Sequence, residues 1–152
     1  MKSAYYTAVV TNTYKMAMDA YFSGNYEYNP LWLRELESVS HREYHTGYYF
    51  TDSHEDANTA STTGYIREKS YLAVVEEYDE ESGFAILSQR NKMCLGDAAE
   101  HLTPGKVGVP FTIGEMFDEN GEPIDATRHP YMIFKMKMPF PVKKGDIIRA
   151  GE

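Results

Sequence analysis

Apolar and polar positions change rhythm roughly halfway along the chain. From Met1 to Phe22, Tyr5, Val9, Met16 and Ala20 recur near one helical stripe, and Tyr6, Val10, Tyr14 and Tyr21 near another. That spacing predicts a helix apolar on more than one face, which needs cover on more than one face. Ser3 stands where a cap would start it and Gly24 where it would end. After a connector, Asn29-Pro30 before Leu31, Trp32, Leu33 and Leu36 reads as a cap, a first-turn proline and a short amphipathic helix ending near Glu37. Ser38 to Phe50 is too aromatic for an open loop and too irregular for a regular element, so it is expected to wrap over something. Asp52 to Gly64 is rich in Ser, Thr, Asp, Asn and Glu, the composition of an exposed linker. The boundary between modules falls there, giving a helical extension with its linker over residues 1–66 and a β domain over 67–152.

Beyond Glu68 the period drops to two. Tyr71–Tyr78 and Phe84–Gln89 read as strands joined by the Asp79–Gly83 loop, and Phe111–Phe117 leads through Asp118-Glu-Asn-Gly-Glu122 to Pro123 and Ile124. In Tyr131–Met138, Met132, Phe134, Met136 and Met138 share one face, while Lys135 and Lys137 lie on the other. Phe84-Ala-Ile-Leu turns polar through Gln89, Arg90, Asn91 and Lys92 and then meets Gly96-Asp97. The same Gly-Asp step returns at Gly145-Asp146 before Ile147 and Ile148. The pattern predicts an α+β chain: an N-terminal helical extension followed by a small, mostly antiparallel β-barrel of about six strands.

Composition narrows the chemistry. A chain of 152 residues can bury one real core plus an appendage. A formal charge of −8 argues against a freestanding nucleic-acid binder. The single cysteine, Cys94, supports no disulfide framework, thiolate zinc site or iron–sulfur ligand set. With no long apolar run and no secretion-signal layout, a cytoplasmic setting is expected. Tyrosine is over-represented, at 13 residues, and its clustering before residue 65 suits a domain interface as well as it suits ordinary packing.

Few side chains make a convincing reactive set. His41 and His45 are four apart, but their segment does not read as a helix, and no third ligand follows. His54-Glu-Asp56 lies in the linker, where charge is usually just solvated. Asp118, Glu119, Glu122 and Asp125 bring four carboxylates near one hairpin, where backbone preference for Asp already accounts for them better than a cation site or an acid and base pair. Ser40 and Ser88 lack a nucleophile motif, and Cys94, beside Met93 and Leu95, is expected to be buried and inert. A basic group stands out more. Arg90 and Lys92 end one strand, and Lys135, Lys137, Lys143, Lys144 and Arg149 face a single acid, Asp146, over residues 135–149. Arg90, Lys92, Lys135, Lys137 and Lys143 are therefore candidate binding residues, for phosphates if they share a face. Protection of an exposed strand edge is the competing account of Lys135 and Lys137.

Several landmarks, in order, resemble the carboxy-terminal region of peptidase family U32, the collagenase-like proteases. They are Met1-Lys-Ser-Ala-Tyr-Tyr6, Ser40-His-Arg with Thr46-Gly-Tyr-Tyr49, Gln89-Arg-Asn-Lys92, Gly96-Asp97, Pro123-Ile-Asp125 and Arg128-His-Pro130. The resemblance implies a β-barrel like the second domain of translation elongation factors. It also implies a catalytic region outside this chain, which in some relatives holds an iron–sulfur cluster, and a parent that is either a protease or a tRNA, rRNA or ubiquinone hydroxylation protein. No catalytic residue of the family carries onto this sequence. The expected role is a non-catalytic accessory domain that binds substrate or partner for that region; the alternative is an RNA-binding module of a hydroxylation protein. A purely structural or oligomerising role is the third reading. Expected partners are the catalytic region and a protein or RNA substrate, with no membrane and no DNA, and no cofactor is expected in this chain.

Overall fold

The computed structural model describes residues 2–42, 44, 46–50 and 69–151. The expectations for His45, for the linker and for His54, Glu55 and Asp56 therefore lie outside the described residues. Helix α1 spans Ala4–Phe22 and α2 spans Pro30–Glu37. Both start as the sequence predicts: the Ser3 hydroxyl accepts from the Tyr6 N–H, and the Asn29 side chain accepts from the Leu31 N–H with Pro30 in the first turn.

Eight strands follow: β1 Tyr71–Asp79, β2 Phe84–Gln89, β3 Ala98–Leu102, β4 Val109–Thr112, β5 Met116–Phe117, β6 Pro123–Ile124, β7 Ile133–Lys137 and β8 Ile147–Ala150. All pair antiparallel in the order β4-β3-β8-β1-β2-β7-β5-β6. The expected closed barrel of about six strands is corrected to an eight-stranded sheet curled into a half-barrel. The predicted strand over Phe111–Phe117 splits into β4 and β5, and the polar run after β2 leads into β3. Irregular register in β1, between Tyr71 and Ala73 and between Val75 and Glu77, bends that central strand. Among the described residues one isolated bridge, Cys94 to Ala126, ties the segment before β3 to the segment after β6.

The concave side is the core. Leu72, Val75, Leu87, Phe134, Met136, Met138 and Ile148 pack there, so the methionine face predicted for Tyr131–Met138 is the buried one. On the convex side the helices cover β3, β8 and the start of β1. Tyr5 and Val9 of α1 join Val39, Leu102 and Ile147 in a second apolar cluster, and Tyr5 stacks on Tyr71 at 5.5 Å between ring centroids. Asn12 fastens α1 further along, accepting from the Gly105 N–H at 2.7 Å and donating to the Lys106 carbonyl at 2.9 Å. Only one stripe of α1 is covered. Tyr14, Met18, Tyr21 and Phe22 remain exposed, as do Tyr48, Tyr49 and Phe50, so the expected aromatic wrap buries Val39 and His41 but not those three rings.

The two Gly-Asp steps are the same turn. In Cys94–Asp97 and in Lys143–Asp146 the aspartate N–H donates to the carbonyl three residues back, and the aspartate carboxylate accepts the N–H of that same residue. Gly96 and Gly145 hold the third position at φ 88° and 89°, a left-handed conformation that L side chains adopt only under strain.

Candidate functional site: the helix–barrel junction and the Arg90 end of the sheet

The side chain that locks the helices to the sheet is Arg149. It stands on β8 directly across from Glu100 on β3 and is 0% exposed. Its Nη2 lies 2.8 Å from Glu35 Oε1 of α2 and 2.6 Å from Glu100 Oε2, while Nη1 donates to Ser38 Oγ at 2.6 Å. Glu100 also accepts from Lys69 Nζ at 2.5 Å and from Arg34 Nη2 at 3.1 Å. Glu35 accepts the Gly108 N–H at 3.0 Å. Burial alone would raise the Glu100 carboxyl, but the Lys69 hydrogen bond and the Arg149 charge hold it below its ordinary value. Burial disfavours the Arg149 cation, but the Glu35 hydrogen bond and the Glu35, Tyr5 and Glu100 charges together raise its pKa above the ordinary value. The arrangement is architectural: every charge in it is matched by a partner.

This placement removes Arg149 from the basic group, since its charge is buried and neutralised. The other candidates are spread along the sheet and do not form one cluster. Lys135 and Lys137 lie exposed on the convex side of β7, beside Glu77 and Asp79 of β1 across β2. Lys135, with Glu77 and Asp79, lines a shallow groove of about 630 Å³ that includes Phe84, Ile86 and Phe117. Lys137 also donates to the Ser82 carbonyl and sits 5.0 Å from the Phe84 ring centroid. Because β7 is paired with both β2 and β5, these lysines guard no sheet edge. Lys143 belongs to the Gly145-Asp146 turn. Arg90 and Lys92 emerge from the opposite end of β2, about 20 Å along the strand from the Phe84–Lys137 pair.

The remaining candidates are structural. The Asp118 carboxylate accepts the Glu122 and Asn120 N–H groups, which hold it below the usual carboxylate range. Asp125 is lowered by its hydrogen bond and ion pair with Arg128. His41 bonds the Arg42 carbonyl through Nδ1 and stacks on Tyr44 at 4.4 Å. Ser88 is buried and accepts from Arg90. Cys94 is partly buried, and as the chain's single cysteine it cannot supply an iron–sulfur cluster's usual thiolates. Among the described residues no group of three or more His, Cys, Asp or Glu is placed to hold a metal, and no helix is long and apolar enough to cross a membrane. Reasoning from sequence missed Glu35, Ser38, Lys69 and Glu100. Its only hint was the polar Glu100-His101 pair inside an otherwise apolar strand.

Residues 67–149 match the family described as peptidase family U32 C-terminal domain, and residues 1–59 match the description peptidase family U32. The chain belongs to peptidase family U32. Its U32 C-terminal domain is similar to a solved C-terminal domain of a Geobacillus thermoleovorans protein assigned to the U32 peptidases. That likeness has 33% identity and a TM-score of 0.51, covering 54% of this chain and 92% of that one. The selenomethionine variant of the same domain matches at 34% identity and a TM-score of 0.50, covering 53% of this chain and 98% of that one. Among curated relatives, tRNA hydroxylation protein P1 of Bacillus subtilis is 31% identical over all of this chain and 36% of its own length. tRNA hydroxylation protein P of Escherichia coli is 30% identical over 80% of this chain and 26% of its own. The chain thus spans about a third or less of these relatives.

Proposed function

We propose that this chain is the substrate-presenting part of a tRNA hydroxylation protein of family U32, non-catalytic by itself. In this reading its β domain holds RNA, and its helices seat a separate catalytic region. The observation that carries the reading is the similarity, over all of this chain and about a third of the relative, to a protein named for tRNA hydroxylation. The buried Arg149 network supports it physically, because it makes helices and sheet one rigid support for whatever each contacts. A protein-partner role for the helices has its own support. Residues 1–59 match the family's other profile, and Tyr14, Met18, Tyr21 and Phe22 form an exposed apolar strip on α1. An iron–sulfur cluster, if the parent uses one, is held by residues outside this chain, and the setting is the cytoplasm, where tRNA is found. Gel shift of the purified chain with total tRNA tests the reading: binding is expected at low salt and should fall as salt rises. No shift at about 50 mM salt, where phosphate contacts are still strong, would remove RNA binding from this chain and leave the protein-partner role.

A further inference from the structure

Another turn shares the backbone frame of the two Gly-Asp turns, without their closing aspartate and without a glycine at the left-handed position. In His129-Pro130-Tyr131-Met132 the Met132 N–H donates to the His129 carbonyl at 3.0 Å, with proline second and a left-handed residue third. Here the third residue is tyrosine, at φ 60°, the one non-glycine with positive φ among the described residues. A bulky residue held there is strained, and strain of this kind persists where the surroundings impose it, often at working sites. The ring gains little burial in return, being 71% exposed.

The surroundings are built and cationic. Residues 89–93 run alongside 127–132, joined by Gln89 N–H to the Met132 carbonyl at one end and by Thr127 N–H to the Met93 carbonyl at the other. Between those ties Arg90 lies against Tyr131, on the segment that also carries Arg128 and His129, while Lys92, two residues further on, lines a shallow groove with Asn91 and Asp97. The Arg90 guanidinium donates to Ser88 Oγ at 2.7 Å and to the Gln89 carbonyl at 3.1 Å, and lies 4.9 Å from the Tyr131 ring centroid. Arg90, Lys92 and Arg128 thus stand near two acids, Asp125, which Arg128 already occupies, and Asp97, which lines the groove beside Lys92. This is a local inversion in a chain of net charge −8.

We propose that Tyr131, backed by Arg90, is a stacking platform for an unpaired base of tRNA, with Lys92 and Arg128 contacting the adjoining phosphates. An exposed aromatic ring beside a guanidinium and flanking cations suits single-stranded RNA, whose bases can be splayed out to stack, and not a duplex, whose bases are already stacked. The proposal deepens the tRNA reading above and rests on it.

The test is fluorescence anisotropy of the full chain with total tRNA, a single-stranded RNA 12-mer and a blunt duplex of the same sequence, together with thermal melting. The wild type is expected to bind the single strand more tightly than the duplex. Tyr131→Gly, which suits the turn better, is expected to melt no lower than wild type yet bind tRNA and the 12-mer roughly 5- to 150-fold more weakly. Tyr131→Phe is expected to keep binding. If Tyr131→Gly fails to fold, Tyr131→Leu decides, because it keeps bulk at the strained position but lacks a π face: weakened binding supports the platform, and wild-type binding overturns it. Tyr131 variants that bind tRNA as the wild type does would overturn the platform and leave the tRNA reading standing. A wild-type chain that binds no RNA would overturn both.

Discussion

Replacing Arg149 by Met tests whether the buried ion network holds the helices to the sheet. Arg149 is 0% exposed and serves Glu35, Glu100 and Ser38 at once. Its loss leaves Glu100 the cations Lys69 and Arg34, but leaves Glu35 buried with the Gly108 N–H among its described partners. Removing one member of a buried pair costs about 3–5 kcal/mol, because the charge left behind is not solvated. At about 2–4 °C per kcal/mol for a chain of this size, the melting midpoint is expected to fall by roughly 6–20 °C in a circular-dichroism melt. Arg149→Lys, which keeps the charge but not the planar fork, is expected to fall between. A double-mutant cycle with Glu35→Gln should show non-additivity of about 0.5–3 kcal/mol. A midpoint drop under about 2 °C for Arg149→Met, or strictly additive effects in the cycle, would refute the view that this network carries the junction.

Gly108→Ala attacks the same place sterically. An added Cβ would lie 2.6 Å from both Arg149 Nη2 and Glu100 Oε2, so a loss of about 1–3 kcal/mol is expected in urea unfolding, and an unchanged midpoint would show that the cluster gives way freely. Acid stability should also report on Glu100. Its native pKa is depressed, so its contribution is complete above the ordinary value of 4.5 and is lost as pH falls through the lower native value. Glu100→Gln should therefore flatten part of the stability profile below about pH 4.5, and an identical acid slope would contradict the assignment. Lys135→Ser with Lys137→Ser is expected to leave both the salt dependence of tRNA binding and the oligomeric state unchanged, since these lysines neighbour Glu77 and Asp79 inside the sheet. A shallower salt slope would place them in the RNA contact after all, and self-association on light scattering would revive the edge-protection reading.

What the sequence determined by itself was whatever depends on neighbours along the chain. Ser3 and Asn29-Pro30 cap helices because capping is settled within three residues. Phe134, Met136 and Met138 alternate toward one face because a strand's period is two, whereas Met132, which the same pattern included, falls in the turn before β7, and the two Gly-Asp steps announce one turn because its hydrogen bonds close within four residues. The strand count was less legible: β4 and β5 read as one run, since Gly114 and Glu115 between them break the ladder without a strong turn signal.

Only the tertiary structure decided which charges are exposed. Arg149 looks basic and available in sequence, but strand register sets it opposite Glu100, and the packing of α2 brings Glu35 onto it. Lys135 and Lys137 read as part of a cationic group until the sheet order sets Glu77 and Asp79 beside them. Arg90 and Tyr131 are 41 positions apart and share no local pattern, yet pairing across residues 89–93 and 127–132 sets the guanidinium 4.9 Å from the ring. The physical reason is one of range: capping, periodicity and turn chemistry act over a few residues, whereas charge neutralisation and ring stacking depend on which distant strands become neighbours, and that is set by the packing of the whole core.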